Sequence, residues 1–216
     1  NDIKIVSTGG GAAGIACLNM LVKLGVKKKN IWLCDINGLV YEGRTTDMNA
    51  EKAAFAQKTD LRSLDEVIEN ADMFLGLSGP NILTSSMINK MSAKPIIFAL
   101  ANPSPEVMPD IARKAASDAI IATGRSDFPN QVNNVLCFPF IFRGALDVEA
   151  TEINDEMQLA CIDAIAEIAR KTTSAEAAAA YQGEALTFGP EYLIPKPFDP
   201  RLSVVVSSAV AQAAMG

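Results

Sequence analysis

Three glycines near the start of the chain have a spacing that suits the binding of a dinucleotide phosphate. Gly9, Gly11 and Gly14 form the pattern G-x-G-x-x-G. In such a turn the first glycine permits a tight bend, the second lets the backbone approach a pyrophosphate, and the third lets a helix pack closely on a strand. Ala12 and Ala13 open a predicted helix, where free amides and the positive end of the helix dipole attract an anion. The same spacing also arises by chance in a chain with 14 glycines, so the flanking elements must decide.

The elements around this glycine turn match those of a dinucleotide site. Residues 3–7 read as a buried parallel strand, and residues 12–24 as a helix that Gly25 ends. A second apolar run, over residues 31–34, ends in Asp35, at the distance from the glycines where a carboxylate can accept hydrogen bonds from the adenosine ribose hydroxyls. The order of strand, glycines, helix, strand and acid therefore predicts a nicotinamide or flavin dinucleotide as the ligand.

Strands and helices alternate along the next hundred residues. Predicted helices between the strands include one that Asn49 caps, running to about residue 58, and one that starts at a capping box of Ser63 and Glu66. Six strands are predicted, over residues 3–7, 31–34, 73–78, 95–101, 119–123 and 135–138. This alternation predicts an α/β fold, a doubly wound parallel sheet of the Rossmann type that is covered on both faces.

The C-terminal part of the chain has a different pattern. Residues 154–171 carry apolar side chains three and four positions apart, which predicts one long helix. The segment FGPEYLIPKPFDPRL reads as an extended apolar arm, followed by a last helix over residues 203–215. We therefore expect a dinucleotide-binding domain over residues 1–172 and a C-terminal arm and helix over residues 173–216. This arm either returns to the sheet of the same domain or packs on an N-terminal domain or a neighbouring subunit.

The loops that follow the predicted strands hold small residues and amides rather than charges. Ser78 lies in LGLSGPN after the third strand, and Asn102 lies in ALANPSPE after the fourth. Asn133 and Asn134 follow the fifth strand. Ligands of open parallel sheets bind outside the carboxyl ends of the strands, so these groups suit a nicotinamide ring and a small polar substrate. From spacing alone, Asn102 and the asparagine pair fit turn residues better than ligand-binding residues.

Composition excludes several classes of function. The net charge of −6 and the pI near 4.8 argue against nucleic acid as a partner, because phosphate backbones need clustered cations. No apolar run approaches the length of a membrane span, and no secretory signal is visible. The chain has no histidine, which removes the commonest general base and metal ligand.

Cysteine and carboxylate spacing point to a cytoplasmic protein without a metal site of its own. Four cysteines stand at irregular spacings without a C-x-x-C pair, which favours buried, reduced thiols over disulfides or zinc; they are Cys17, Cys34, Cys137 and Cys161. The carboxylates are scattered without a ligand-like cluster, so no metal ligand is assigned. Arg125 and Asp127 are predicted to pair on the surface.

Several segments together resemble the cofactor domain of malic enzymes, particularly the compact bacterial and archaeal type. The most specific are ALANPSPE and the block GRSDFPNQVNNVLCFPFIFRGALD, and the resemblance covers essentially the whole chain. The other matching segments are STGGGAAGIACLNML, LCDINGLVYEGR, FLGLSGPNILT and FGPEYLIPKPFDPRL.

The resemblance implies oxidation of L-malate by NAD or NADP and decarboxylation to pyruvate and CO2, with Mg or Mn polarising the carbonyl. It places Asn102 and Asn134 beside both malate and the nicotinamide, and Asn133 beside malate. The family's catalytic tyrosine and lysine and its metal ligands belong to an N-terminal region that is not among these residues. We therefore assign no catalytic residue here and expect the chain alone to be inactive. The family also implies a homo-oligomer, a dimer or larger.

Two questions stay open at this level. Asp35 favours NAD, because a 2'-phosphate would meet a like charge, whereas Arg44 is the nearest cation that could bind such a phosphate. Because catalytic residues are missing, a stand-alone dinucleotide-binding module that senses or scaffolds is the alternative to an enzyme.

Overall fold

A six-stranded sheet organises the first part of the chain. The computed structural model describes residues 2–172, 178 and 186–216. Its sheet has the strand order β3-β2-β1-β4-β5-β6, in which every pair is parallel except the antiparallel pair of β2 and β3. The strands are β1 (Ile5–Thr8), β2 (Ile31–Asp35), β3 (Gly38–Leu39), β4 (Met73–Gly76), β5 (Ile96–Ala99) and β6 (Ile120–Thr123). The prediction of a doubly wound α/β fold is confirmed.

The prediction that residues 135–138 form the sixth strand was wrong. Residues 135–138 do not form a strand; a 3-10 turn, Asn134–Leu136, leads there into helix α6 (Phe138–Asp147). Pro139 in the first turn of α6 favours a helix start, which the apolar run concealed. The sixth strand is β3, a two-residue hairpin partner of β2 made possible by Gly38, whose φ is +92°.

Helices α1 to α5 cover this sheet. They are α1 (Ala12–Lys23), α2 (Ala50–Ala53), α3 (Leu64–Val67), α4 (Ser85–Ile88) and α5 (Pro109–Ala115), with a 3-10 turn at Lys28–Asn30. The cap by Asn49 and the capping box of Ser63 and Glu66 are confirmed. Helix α2 ends well before the predicted residue 58, because the backbone N–H of Gln57 donates to Val40 and the chain there joins the edge of the sheet.

Alternate residues of each strand face opposite apolar layers. Ile5, Leu33 and Leu75 belong to one buried cluster, and their neighbours Val6 and Phe74 belong to another. Both faces of the sheet are therefore covered, as expected for parallel strands. The carboxyl ends of β1, β2, β4 and β5 meet at one edge of the sheet, and the loops that follow these strands leave from that edge.

Residues Pro129–Gly216 form a second compact unit, separate from Asn1–Phe128. Helices α6, α7 (Asp155–Arg170) and α8 (Arg201–Met215) share one apolar cluster. The predicted long helix is confirmed as α7, capped by Asn154. Gly144 of α6 lets α8 approach closely, since a Cβ there would lie 2.8 Å from Cβ of Val210. No helix among the residues described is long and apolar enough to cross a membrane.

Over residues 186–200 the C-terminal arm forms neither a helix nor a strand, and α8 begins two residues before the predicted start. Asn130 holds this arm within the second unit, because its side chain donates to the carbonyl of Pro190 (2.7 Å) and accepts from the N–H of Leu193 (2.8 Å). Residues 173–177 and 179–185, where the arm was predicted to begin, lie outside the described residues. The division of the chain into domains after residue 172 stays a prediction, whereas the compact units divide after Phe128.

Candidate functional site

The glycine turn connects β1 to α1 at the carboxyl edge of the sheet. Gly9 has a φ of +104°, and a Cβ there would overlap the carbonyl of Leu77. A Cβ on Gly14 would overlap the carbonyl oxygen of Gly9. Gly11 differs, because a Cβ there would meet no heavy atom within 4 Å. Gly9 and Gly14 are thus required by the fold itself, whereas the space beside Gly11 is available to a ligand.

The first turn of α1 is arranged to receive an anion. Gly11 caps the helix and offers no side chain to its first amides, and no acidic residue lies in the first turn. Ala12 and Ala13 are exposed, so their side chains do not block this end of the helix. Unpaired N–H groups and the helix dipole make the position electropositive. The local geometry suits an anion at this helix start, and the binding of a phosphate there stays a prediction.

A cleft of about 940 Å³ opens beside the turn, within the first unit. Its volume lies in the upper part of the range for small-molecule sites. Of the residues predicted for the site, the cleft brings together Gly9, Asp35 and Ser78. Its lining also includes residues from β1 and β2, from the loops after β2 and β4 and from helices α3 and α4, among them Thr8, Asn37, Leu64, Ile82 and Met87.

Asp35, at the end of β2, is held by two cations. The Nη2 atom of Arg44 lies 2.7 Å from both carboxylate oxygens of Asp35, and Nζ of Lys52 lies 2.9 Å from Oδ2. Lys52 also pairs with Asp47 at 2.6 Å. The side chains of Asp35, Arg44 and Lys52 are all buried, with at most 7% of their surface exposed. Sequence reasoning identified Asp35 and Arg44 but missed Lys52, which only the tertiary structure brings to this point.

These contacts set the charge of Asp35. Burial by itself would raise the pKa of this carboxyl group, but hydrogen bonds from Arg44, Lys52 and the backbone N–H of Asn37 outweigh it and leave the pKa below its ordinary value. The pKa of Lys52 is raised, mainly by its hydrogen bond to Asp47 and further by Asp35. Both groups are therefore charged at neutral pH.

Replacing Asp35 with asparagine should make the stability of the fold depend less on pH in the acid range. The folded pKa of Asp35 lies below its ordinary value of 3.8, so the ionised form stabilises the fold above that pH, and this contribution is lost as the pH falls through the folded pKa. We expect Asp35→Asn to cost about 2 kcal/mol at neutral pH and to lose less stability than the unmodified chain below about pH 4. Thermal unfolding between pH 7 and pH 3 measures this, with the exposed Asp118→Asn as the control. Parallel pH profiles of the Asp35 variant and the unmodified chain would contradict it.

A buried carboxyl group that sequence reasoning did not single out supports the neighbouring loops. Glu106 is 0% exposed. Its Oε1 atom accepts the backbone N–H of Ser78 (2.9 Å), and its Oε2 atom accepts that of Ala101 (3.1 Å). The side chain therefore ties the loop after β4 to the loop after β5. Its only sequence signal was that it is the one acid in the neutral segment ALANPSPE.

The predicted polar residues of the first unit lie on these two loops. The Oγ atom of Ser78 donates to Oγ1 of Thr8 at 3.0 Å, which joins the loop after β4 to the end of β1. Asn102 is exposed beyond β5 and precedes Pro103 through a cis peptide bond. It is not among the residues that line the cleft, so the role of its amide stays a prediction.

The asparagine pair lies in the second unit. The side-chain oxygen of Asn133 accepts the N–H of Val135 at 3.1 Å and so caps the 3-10 turn, which is the turn role that spacing suggested. Asn134 is exposed at the first position of that turn. Its side chain is therefore available to a ligand, and a role for either residue in binding malate stays a prediction.

Two further expectations concern charged groups. Arg125 and Asp127 form the predicted surface pair, with Nη2 and Oδ2 2.7 Å apart. Within the described ranges, no three Cys, Asp or Glu side chains stand close enough to hold a metal ion. This part of the chain thus offers no ready-made ligand set for Mg or Mn.

Comparison with known proteins identifies what this arrangement is similar to. A family model described as the malic enzyme NAD binding domain matches residues 1–181. The chain is 59% identical over 216 residues to an NADP-dependent malic enzyme of Escherichia coli and 57% identical over 213 residues to an NAD-dependent malic enzyme of Rhizobium meliloti. These alignments cover 100% and 99% of this chain but 28% of each relative.

A solved structure has the same fold. The NAD-dependent malic enzyme of Thermotoga maritima superposes with a TM-score of 0.82 at 39% identity, covering 97% of this chain and 51% of that one. The chain therefore spans between about a quarter and a half of the length of these relatives.

Proposed function

The chain belongs to the malic enzyme family, as its NAD-binding domain, and from this premise we propose that it forms the cofactor-binding part of an enzyme that converts L-malate to pyruvate and CO2. The observation that carries the proposal is a cleft that both Gly9 of the glycine turn and Asp35 line. The turn leads into the free amides at the start of α1, which suit the phosphates of an adenosine diphosphate, and the carboxylate of Asp35 suits its ribose.

In the proposed reaction the residues of this chain bind the cofactor and orient the cofactor and malate. A bound nicotinamide supplies the acceptor for the hydride that leaves C2 of malate. We assign the pyrophosphate to the backbone of Gly11, Ala12 and Ala13 and the adenosine ribose to Asp35. We keep Asn102 and Asn134 each as a candidate amide for the nicotinamide carboxamide or a malate carboxylate, because neutral donors orient such groups without adding charge. Glu106 keeps the shape of the two loops that carry Ser78 and Asn102.

We assign proton transfer and metal binding to residues outside this chain. The described residues provide no cluster for Mg or Mn, and the chain has no histidine. We propose that a catalytic tyrosine, a catalytic lysine and the metal ligands belong to an N-terminal region of the complete enzyme. We also propose a cytoplasmic homo-oligomer, supported by the four free thiols and by exposed Phe138, Phe142 and Leu146 on one stripe of α6.

Activity with and without the N-terminal region of a relative tests the proposal. The purified chain should bind NAD or NADP in calorimetry but should show no malate-dependent rise in absorbance at about 340 nm, the band of the reduced nicotinamide. A fusion of the N-terminal region of the Escherichia coli relative to this chain should show that rise when Mn²⁺ is added. Cofactor reduction by the chain alone would contradict the placement of the catalyst outside it. Binding without any activity of the fusion would favour a stand-alone dinucleotide-binding module.

The charges around Asp35 bear on the choice between NAD and NADP. The like charge of Asp35 is neutralised locally, because Asp35 and Asp47 are matched by Arg44 and Lys52. A 2'-phosphate would therefore meet a cluster with no net charge, and the preference for NAD drawn from Asp35 alone is weakened. We propose that the site admits both cofactors, which agrees with the presence of NAD-dependent and NADP-dependent relatives at similar identity.

Replacing Lys52 with glutamine should lower the affinity for NADP more than that for NAD. The change leaves the Asp35 cluster with one net negative charge, which repels the 2'-phosphate. We expect a loss of about ten-fold in NADP affinity, or about 1.4 kcal/mol, and a loss of less than about two-fold for NAD. Calorimetric titration of both cofactors measures the two effects, and Lys114→Gln, an exposed change on α5, is the matched control. Equal losses for the two cofactors would contradict a role of Lys52 charge at the 2' position.

A further inference from the structure

Two cysteines of the second unit have their sulfur atoms in contact. Cys137 lies between the 3-10 turn and α6, where it caps the helix, and Cys161 lies on α7. Their Sγ atoms are 3.3 Å apart, and the thiol of Cys161 donates a hydrogen bond to the sulfur of Cys137. A disulfide bond is about 2.05 Å long, so the two sulfur atoms need to approach by little more than about 1 Å to form one.

The two thiols differ in how far a reagent can reach them. Cys161 is 1% exposed and packs in the apolar cluster that α6, α7 and α8 share. Cys137 is half-buried at the rim of that cluster. All four cysteines are free thiols. An oxidant from solvent therefore meets Cys137 first, with Cys161 directly behind it.

The hydrogen bond also makes Cys137 the more reactive thiol. It lowers the pKa of Cys137 to about 7 against the opposing effect of burial, and it raises the pKa of Cys161. The lowered pKa favours the thiolate of Cys137, the form that attacks peroxides and disulfides. The other two cysteines lack this activation, because burial raises the pKa of Cys17 and raises that of Cys34 to about 12.

We propose that Cys137 and Cys161 are a redox modification site, which a hydroperoxide converts to an intramolecular disulfide. The Cys137 sulfur attacks the peroxide oxygen, the O–O bond breaks, and Cys137 becomes a sulfenic acid while an alcohol or water leaves. The Cys161 sulfur then attacks the sulfenic sulfur, and the hydroxyl leaves as water with the thiol proton. Two thiols lose two electrons and two protons, and the peroxide is reduced by the same two electrons.

The bond would link covalently two elements that the reduced chain holds by apolar packing and by the hydrogen bond from Cys161 to Cys137. The backbone N–H of Cys137 donates to the carbonyl of Asn134, so the 3-10 turn is joined to the oxidised residue. A disulfide would tie the start of α6, together with this turn, to the middle of α7. This thiol chemistry goes beyond the proposed function and does not depend on malate oxidation. An experiment can therefore contradict either proposal without affecting the other.

Oxidation of the folded full chain followed by mass spectrometry tests the proposal. The chain is treated with hydrogen peroxide at neutral pH, remaining thiols are blocked with iodoacetamide after unfolding, and peptides are separated without reduction. The expected main product is a linked pair of peptides containing Cys137 and Cys161, about 2 Da lighter than the sum of the reduced peptides, with Cys17 and Cys34 alkylated. Recovery of Cys137 and Cys161 as separate alkylated peptides, or of Cys137 as sulfinic acid, would overturn it.

Two variants separate the roles of the pair. In Cys161→Ser, Cys137 should stop at the sulfenic acid, which dimedone traps, because no second thiol can displace water from it. Cys17→Ser is the matched control and should form the Cys137–Cys161 disulfide at the rate of the unmodified chain. Equal trapping of Cys137 by dimedone in the Cys161 variant and in the unmodified chain would overturn the role of Cys161 as the second thiol.

Discussion

Replacing Gly11 with valine is expected to lower dinucleotide affinity by at least about 100-fold, or about 2.7 kcal/mol, without lowering the melting temperature. Gly11 has an extended backbone, with φ −84° and ψ −178°, which any residue adopts. A Cβ there would meet no heavy atom of the chain within 4 Å. The added methyl groups would instead occupy the space into which a pyrophosphate fits against the start of α1. Calorimetric titration of NAD and NADP, with thermal unfolding of the same samples, measures both quantities.

Gly14→Ala provides the contrast for this prediction. A Cβ on Gly14 would overlap the carbonyl oxygen of Gly9, so the alanine should lower the melting temperature as well as the affinity. The two variants thus separate a glycine needed for the ligand from a glycine needed for the packing of α1 on β1. Equal cofactor binding by Gly11→Val and the unmodified chain would contradict the assignment of the turn to phosphate.

The second large effect is expected at Glu106. Replacing it with glutamine puts an NH2 group where a carboxyl oxygen now accepts a backbone N–H, from either Ser78 or Ala101. In a position that is 0% exposed, water cannot replace the lost partner. We expect the free energy of unfolding to fall by about 2–4 kcal/mol, since a buried donor is left unpaired beside another donor. Denaturant titration measures the loss, and hydrogen exchange of the two amides should become faster.

Two further variants keep this prediction specific. Glu42→Gln makes the same chemical change at an exposed position and should leave stability unchanged. Gly76→Ala should destabilise the chain by another route, because a Cβ on Gly76 would lie 2.7 Å from both carboxyl oxygens of Glu106. If Glu106→Gln were as stable as Glu42→Gln, then Glu106 would not hold the two loops together.

Features that depend on neighbours in sequence could be predicted well. The cap of α2 by Asn49 and the capping box of Ser63 both involve a side chain and an amide three residues away. The G-x-G-x-x-G turn is local only in part, since Gly14 is needed where it contacts Gly9 in the same turn, whereas Gly9 is needed because the carbonyl of Leu77, after β4, lies against it. Such patterns are visible in the sequence because both partners lie in one short segment.

The family could also be recognised before the fold was seen. Segments such as ALANPSPE and GRSDFPNQVNNVLCFPFIFRGALD led to malic enzymes, and the match to the family model over residues 1–181 confirms that resemblance. The doubly wound sheet followed from the alternation of strands and helices. The residues beyond β6 were harder, because an apolar run of four residues suits a buried strand and a helix start equally well. Pro139 in the first turn and packing with α7 and α8 together favour a helix over residues 138–147.

The sequence by itself determined the class of fold, the family and the glycine turn, because each is carried by short segments of the chain. Only the tertiary structure decided the charge around Asp35, the support of the loops by Glu106 and the contact of Cys137 with Cys161. In each case the partners are separated by many residues, 17 between Asp35 and Lys52 and 24 between the two cysteines, and meet through the packing of different elements. Spacing in a sequence carries no information on such meetings, since they follow from the order of strands and the burial of helix faces.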